Sequence, residues 1–194
     1  MPIRVEIYGI AGVAIGVVGR AGRLRDILES GPDLVIERAV WHPIDGSPPQ
    51  PHGELTFALD DILVAVANDE NDIPVHVQWH EIAVDVGPYR VTGQMPTMPG
   101  FDPGRALARP TGEFVQLKDV RIALVDDPDG SATGQASALV NRYVVERVAA
   151  DIMLGFFFPG ATMVLTGGHG QVAAGAGLPS GVPPSPDQGH GMAL

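Results

Sequence analysis

The 194-residue sequence carries 23 acidic residues against 12 lysines and arginines, a formal net charge of −11, and it contains no cysteine. This charge disfavours binding to nucleic acid and docking on anionic lipid, because both need clustered cations. The lack of cysteine excludes disulfides, cysteine-based zinc sites and thiol nucleophiles, which fits a cytoplasmic protein. With 45% hydrophobic residues, a chain of this length can form one or two small domains with a buried core.

The first half of the chain predicts strands around one short helix. Residues 3–7 alternate apolar and polar side chains, as a half-buried strand does, and residues 13–18 continue as a second strand. Residues 23–28 have apolar side chains at helical spacing, and Gly31 with Pro32 ends that helix. Residues 34–41 are rich in β-branched and aromatic side chains, so they predict a third strand.

A proline-rich loop separates these strands from the end of the first half. Residues 43–53 include prolines that cannot all take part in a β-ladder. Residues 55–67 predict one or two further strands, broken at Asp60 and Asp61. The polar, acidic residues 68–72 then form the candidate boundary between two units.

The second half predicts another series of strands. Residues 75–86 and 89–94 form the first two, and residues 95–104 are expected to be irregular because they are rich in proline and glycine. Residues 114–125 give the clearest strand of this half. Residues 126–130, with the sequence Asp-Asp-Pro-Asp-Gly, predict a turn, since Asp tolerates tight turns and Gly accepts positive φ.

The last part of the chain is less clear. Residues 139–148 fit either a helix or a strand, and a strand is favoured because the matching part of the first half is extended. Residues 152–165 are unusually apolar and include three consecutive phenylalanines. A buried packing segment is the simpler interpretation, and an exposed segment for a partner or a membrane is the alternative. Residues 167–194, rich in Gly and Pro, predict a disordered tail.

The two halves contain the same order of features at a spacing of about 77 to 80 residues, which is too long for solenoid repeats. The matched positions are Ile15–Gly16 with Thr92–Gly93, Leu34–Val35 with Phe114–Val115, Val40 with Val120, Ala58–Leu59 with Ala138–Leu139, and Val64 with Val144. We therefore predict two related small β units over residues 1–70 and 71–151. An apolar segment, 152–166, and the tail, 167–194, follow them.

Three stretches resemble an uncharacterised bacterial domain family. They are residues 22–28 (GRLRDIL), 114–122 (FVQLKDVRI) and 138–144 (ALVNRYV). In that family a turn similar to the first precedes a strand similar to the second, and a strand similar to the third closes the unit. The resemblance covers about 60 residues of each half and implies a small barrel-like β unit without an established activity. We therefore expect an all-β or β-rich α+β fold, with two barrel-like units and short helical turns.

Two histidines offer the start of a metal or catalytic site. His76 and His80 are four residues apart, so they share one face of a strand, and Glu81 follows them. The spacing differs from the zinc-protease motif, and no third ligand is evident in the sequence. Surface histidines on a strand are the simpler interpretation, so we predict no metal site and no cofactor.

Two loop segments also have simpler explanations than ligand binding. Residues 126–130 resemble a calcium loop only loosely, because the bidentate Glu of an EF-hand is missing, and a turn explains their carboxylates. Residues 9–16 contain three glycines at the wrong spacing for a dinucleotide-binding loop.

The densest cationic cluster consists of Arg20, Arg23 and Arg25. Arginine forks suit a carboxylate or phosphate ligand. The simpler interpretation pairs these side chains with the acidic residues nearby, which are Asp26, Glu29 and Asp33.

These features favour a non-enzymatic binding or assembly module that has a protein partner or self-associates through strand edges. The candidate binding residues are Arg20, Arg23, Arg25, Phe156, Phe157 and Phe158. Two alternatives stay open. One is a small hydrolase or isomerase that uses His76 and His80 with a loop carboxylate. The other is a membrane-associated accessory protein that makes contact through residues 152–165.

Overall fold

The computed structural model describes residues 2–68, 77–98, 100 and 112–166, and strands dominate them. The strands are β1 Ile3–Gly9, β2 Gly12–Val18, β3 Asp33–Pro43, β4 Gln50–Pro51, β5 Glu54–Ala58, β6 Val64–Ala67, β7 Gln78–Val86, β8 Tyr89–Thr97, β9 Phe114–Leu124, β10 Thr133–Asn141, β11 Val145–Ala150 and β12 Thr162–Leu165. One α-helix, α1 (Leu24–Glu29), and two 3-10 turns, Leu59–Asp61 and Gly155–Phe157, complete this part of the chain. The predicted β-rich class is confirmed.

All twelve strands belong to one sheet that runs through both halves of the chain. Its order is β12-β11-β7-β8-β9-β10-β6-β1-β2-β3-β4, with β5 also paired to β3. Every neighbouring pair is antiparallel except β11 and β12. The halves are joined where β6 pairs with β10, through Ala65 opposite Leu139 and Val64 opposite Val140. The described strands therefore form one open sheet, and the predicted boundary at 68–72 lies mostly outside the described residues.

The pairing order of the first half recurs in the second. Five strands of the first half pair in the order β6-β1-β2-β3-β5, and five of the second half pair in the order β11-β7-β8-β9-β10, with β12 added beside β11. The short β4 pairs with the end of β3. In the second half, the long strand β10 pairs with β9 along the corresponding stretch. Each half therefore consists of a three-stranded meander with one later strand added on each side.

A β-bulge interrupts both meanders at a glycine. In the first half the ladder shifts between Ile15 and Val17, around Gly16, and Arg38 takes a φ of 51° on the opposite strand. In the second half it shifts between Thr92 and Gln94, around Gly93, and Asp119 takes a φ of 50°.

The bulges also correct the alignment of the two halves. When the two bulges are matched, Arg38 is equivalent to Asp119. Val40 is then equivalent to Arg121 rather than to the predicted Val120.

Alternating burial builds a separate hydrophobic core on each half. Odd-numbered side chains of β1, such as Ile3, Val5 and Ile7, pack with α1 and β3 in the first core. The second core consists of buried side chains from the second half and also includes Tyr8, Leu63 and Val64 from the first half. Side chains therefore cross the junction in addition to the backbone pairing of β6 with β10.

Most predicted elements are found, with two corrections. Residues 95–97 are not irregular: they continue β8, where Pro96 lies opposite Trp79. Residues 139–148 are extended, as favoured, but a turn divides them between β10 and β11. Within the apolar segment 152–165, Phe158 is fully buried in the second core, which favours the packing interpretation. The predicted tail lies outside the described residues.

Candidate functional site

A cavity lies where the two halves meet, and we call it the junction cavity. It has a volume of about 310 Å³ and is lined by β1, β2 and the end of β3 from one half and by β8, β9 and β10 from the other. Its apolar lining includes Val13, Ile15, Ile44, Ile122 and Leu124. A cavity of this size matches the lower end of the range for small-molecule sites.

Two tyrosines meet at the wall of the junction cavity. The rings of Tyr8 and Tyr89 pack edge to face with their centroids 5.3 Å apart, and both residues are buried. The hydroxyl of Tyr89 donates to the carbonyl oxygen of Gly9 at 3.1 Å. Burial raises the pKa of each tyrosine to about 12, helped at Tyr8 by the charge of Glu6. Both hydroxyls therefore stay protonated at neutral pH, and each already donates its single hydrogen within the protein.

Glu6 supplies the carboxylate of the junction cavity. Its Oε2 accepts hydrogen bonds from the Tyr8 hydroxyl at 3.0 Å and from Nε2 of Gln135 at 3.1 Å. The side chain is half-buried. A carboxylate offers about four lone-pair positions, so it can accept further donors from a ligand. His42, Ser131 and Thr133 add polar groups to the wall.

The strand period explains why these groups meet. Glu6 and Tyr8 are two residues apart on β1, so their side chains share the face opposite Ile7. Tyr89 begins β8, and the long-range pairing of the halves brings it against Tyr8. The sequence does not reveal this site, because no local motif links residues as far apart as Gly9 and Tyr89, which are 80 positions apart.

Other recesses are less suited to a ligand. A groove of about 380 Å³ lies over β7 and β8, but most of the side chains that line it are polar, namely Glu81, Thr92, Gln94, Asp119 and Thr166. A recess of about 220 Å³ holds Asp85, which pairs with Arg90 at 2.6 Å and Arg147 at 3.5 Å. The hydrogen bond from Arg90 lowers the pKa of Asp85. These charges are already engaged with each other.

His80 belongs to a hydrogen-bonded chain of three side chains. Its Nδ1 lies 3.2 Å from Oδ1 of Asp151, and its Nε2 lies 3.1 Å from Oγ1 of Thr97. A hydroxyl, an imidazole and a carboxylate in this order resemble a catalytic triad. However, Thr97 is 4% and His80 is 5% exposed, while the Asp151 side chain is 47% exposed. Burial of the hydroxyl end favours a structural role that ties the end of β11 to β7 and β8.

The interpretation of His76 and His80 as surface histidines is wrong for His80, which is buried. His76 lies outside the described residues, so the arrangement of the pair is not defined. Within the described ranges, no group of three or more His, Asp or Glu side chains is placed to hold a metal ion.

The arginine cluster lies at the start of α1. Arg25 forms an ion pair with Glu29, with Nε 3.1 Å from Oε1, as the sequence analysis favoured. Arg23 and Arg25 line a recess of only about 90 Å³, and Arg20 is exposed. The recess is small for an organic ligand.

The three phenylalanines have different environments. Phe158 is fully buried, whereas Phe156 and Phe157 are half-buried and stack with centroids 4.2 Å apart. Phe158 is therefore part of the core rather than a contact surface. No helix among the described residues is long and apolar enough to cross a membrane.

Comparison of the chain with protein-family models, with curated proteins and with solved structures gave no match. The junction cavity is therefore interpreted from its own geometry and chemistry.

Proposed function

We propose that the protein is a non-enzymatic binding module that holds a small molecule in the junction cavity. The observation that supports this proposal is the convergence of Tyr8, Tyr89 and Glu6 on a cavity of about 310 Å³ whose walls are mostly apolar. Apolar walls with a few placed polar groups are typical of ligand sites. The absence of cysteine fits a cytoplasmic location for this module.

The cavity walls specify a ligand with an apolar body. Val13, Ile44 and Leu124 pack against the second core and present hydrophobic surface to the cavity. Burying apolar ligand surface there contributes roughly 25 cal/mol per Å² before the costs of association are subtracted. The tyrosine hydroxyls and the Glu6 carboxylate then orient the polar end of the ligand.

A neutral probe tests this function without testing the charge of the ligand. We expect 2-phenylethanol to shift the methyl resonances of Val13, Ile15 and Leu124 in a ¹H–¹³C NMR titration. Val13→Trp should remove these shifts by filling the cavity. Val17→Trp is the matched control, because Val17 lies on the same face of β2 but outside the cavity lining. Unchanged cavity methyls with this probe and with its charged analogues would refute the function.

A second candidate function is assembly, and it follows from comparing the two halves. We propose that the halves are diverged copies of one β unit, as the resemblance to an uncharacterised bacterial family implies. In the second half the outer edge of β10 is paired with β6. Its counterpart β5 pairs with β3 and with no other described strand. A free strand edge invites pairing with another chain.

Light scattering after size-exclusion chromatography tests assembly. If β5 pairs with a second copy, the protein is at least dimeric, and Thr56→Lys shifts it toward the monomer because charge on an edge strand opposes pairing. Thr92→Lys, on the internal strand β8, is the control. A monomeric wild-type protein at high concentration would contradict self-assembly.

A further inference from the structure

We infer that the ligand of the junction cavity is a small organic cation, an amine attached to an apolar body. This inference rests on the proposed binding function and adds the charge of the ligand. Its basis is the position of the Glu6 carboxylate in the cavity wall, together with the charges that surround it.

The charge of the described lining points in one direction. Its titratable groups are Glu6, His42, Tyr8 and Tyr89, and it contains no lysine or arginine. A carboxylate in a half-buried wall attracts a cation and repels an anion more strongly than one in open water, because screening by solvent is weaker. His42 is the one residue of this lining that can carry positive charge.

The hydrogen bonds of Glu6 leave room for an ammonium group. Both contacts recorded for its carboxylate, from Tyr8 and Gln135, go to the same oxygen, Oε2. These contacts fix the orientation of the carboxylate before a ligand arrives. An ammonium has three donors and no acceptor, so it complements a group that can only accept.

Two further features favour a cation. The lining contains two aromatic residues, Tyr8 and Tyr89, and aromatic rings attract positive charge. The net charge of −11 raises the local concentration of cations around the protein and lowers that of anions. Both effects act in the same direction as the Glu6 carboxylate.

The test uses three probes of nearly equal shape and different charge. Phenethylamine is the cation, 2-phenylethanol is the neutral analogue and 3-phenylpropionate is the anion. We measure dissociation constants by NMR titration at pH 7.5 and low ionic strength. Phenethylamine should bind at least about tenfold more tightly than the alcohol, because its positive charge attracts the carboxylate and the neutral hydroxyl has no such attraction. The carboxylate should bind more weakly than the alcohol.

Glu6→Gln tests whether this carboxylate sets the preference. The variant keeps the size of the side chain and an acceptor for Tyr8, so binding of the alcohol should change by less than about twofold while the amine loses its advantage. Glu146→Gln is the matched control. It changes the net charge equally, and Glu146 is an exposed residue of β11 outside the cavity.

The outcomes separate the inference from the function. Loss of the preference for the amine in Glu6→Gln, and its retention in Glu146→Gln, supports the inference. Equal binding of all three probes at the cavity overturns the inference and leaves the binding function standing. Equal loss of preference in both variants shows a general effect of net charge and also overturns it. Failure of every probe to perturb the cavity overturns both proposals.

Discussion

Replacing Gly16 by Ala should destabilise the protein, because the bulged strand β3 opposite Gly16 leaves no space for a methyl group. A Cβ at Gly16 would lie 2.5 Å from Cγ2 of Ile36, 2.8 Å from the carbonyl oxygen of Glu37 and 3.1 Å from Cα of Ala39. Two of these atoms belong to the backbone, so a change of rotamer cannot remove the clash. Forced contacts of this kind cost about 1–3 kcal/mol.

The net loss should be about 2 kcal/mol in the free energy of unfolding. We take a value near the top of that range because the closest contacts are severe. We then subtract about 0.4–1 kcal/mol for the lower entropy of the unfolded alanine chain. The thermal midpoint should fall by about 4–8 °C for a chain of this size.

Two other glycines have more space for a Cβ than Gly16 has. At Gly93, on the bulge of the second half, the nearest atom to a Cβ is the Lys118 carbonyl oxygen at 2.9 Å, followed by Cγ2 of Val120 at 3.2 Å. These contacts are looser, so Gly93→Ala should cost about 1 kcal/mol. At Gly134 on β10 a Cβ would meet nothing within 4 Å. Gly134→Ala should therefore be neutral or stabilising by less than about 1 kcal/mol.

Urea unfolding, followed by tryptophan fluorescence, ranks the three variants. The expected order of destabilisation is Gly16→Ala, then Gly93→Ala, then Gly134→Ala. The m-value should stay constant, so that the midpoints report stability. A Gly16→Ala midpoint within error of that of Gly134→Ala would refute the packing argument and the matching of the two bulges.

Two further predictions concern the core and the junction cavity. Phe158→Ala should cost about 3–5 kcal/mol in the free energy of unfolding, because the ring is fully buried, and Phe156→Ala should cost clearly less; equal urea midpoints would contradict this. Since the pKa of Tyr8 and of Tyr89 is raised to about 12 in the folded state, the unfolded state releases these protons first, and stability is lost as pH rises from about 10 to 12. Tyr8→Phe should make this alkaline loss shallower in urea unfolding at pH 9 to 12, and an unchanged slope would show that Tyr8 is not protected from ionisation.

Local patterns in the sequence determined most of the elements. Alternation along residues 3–7, the Gly31–Pro32 stop after α1 and the Asp-rich turn at 126–130 act within a few residues. Each is therefore readable without knowing the fold. The order of features in the two halves also agrees with their pairing order. The predicted alignment differs by one residue along β3 and β9, on both sides of the bulges, because a run of consecutive apolar residues does not show which of them faces the core.

Tertiary structure alone decided the site and the long-range pairings. Tyr8 meets Tyr89 because β6 joins β10, and His80 meets Asp151 over 71 positions. The sequence marks which face of a strand is buried but not which distant strand covers it, because many strands present similar apolar faces. That choice depends on chain closure and on the packing of the whole sheet. For the same reason the sequence drew attention to His76 and His80, a local pair, and not to Glu6, whose importance depends on its neighbours in space.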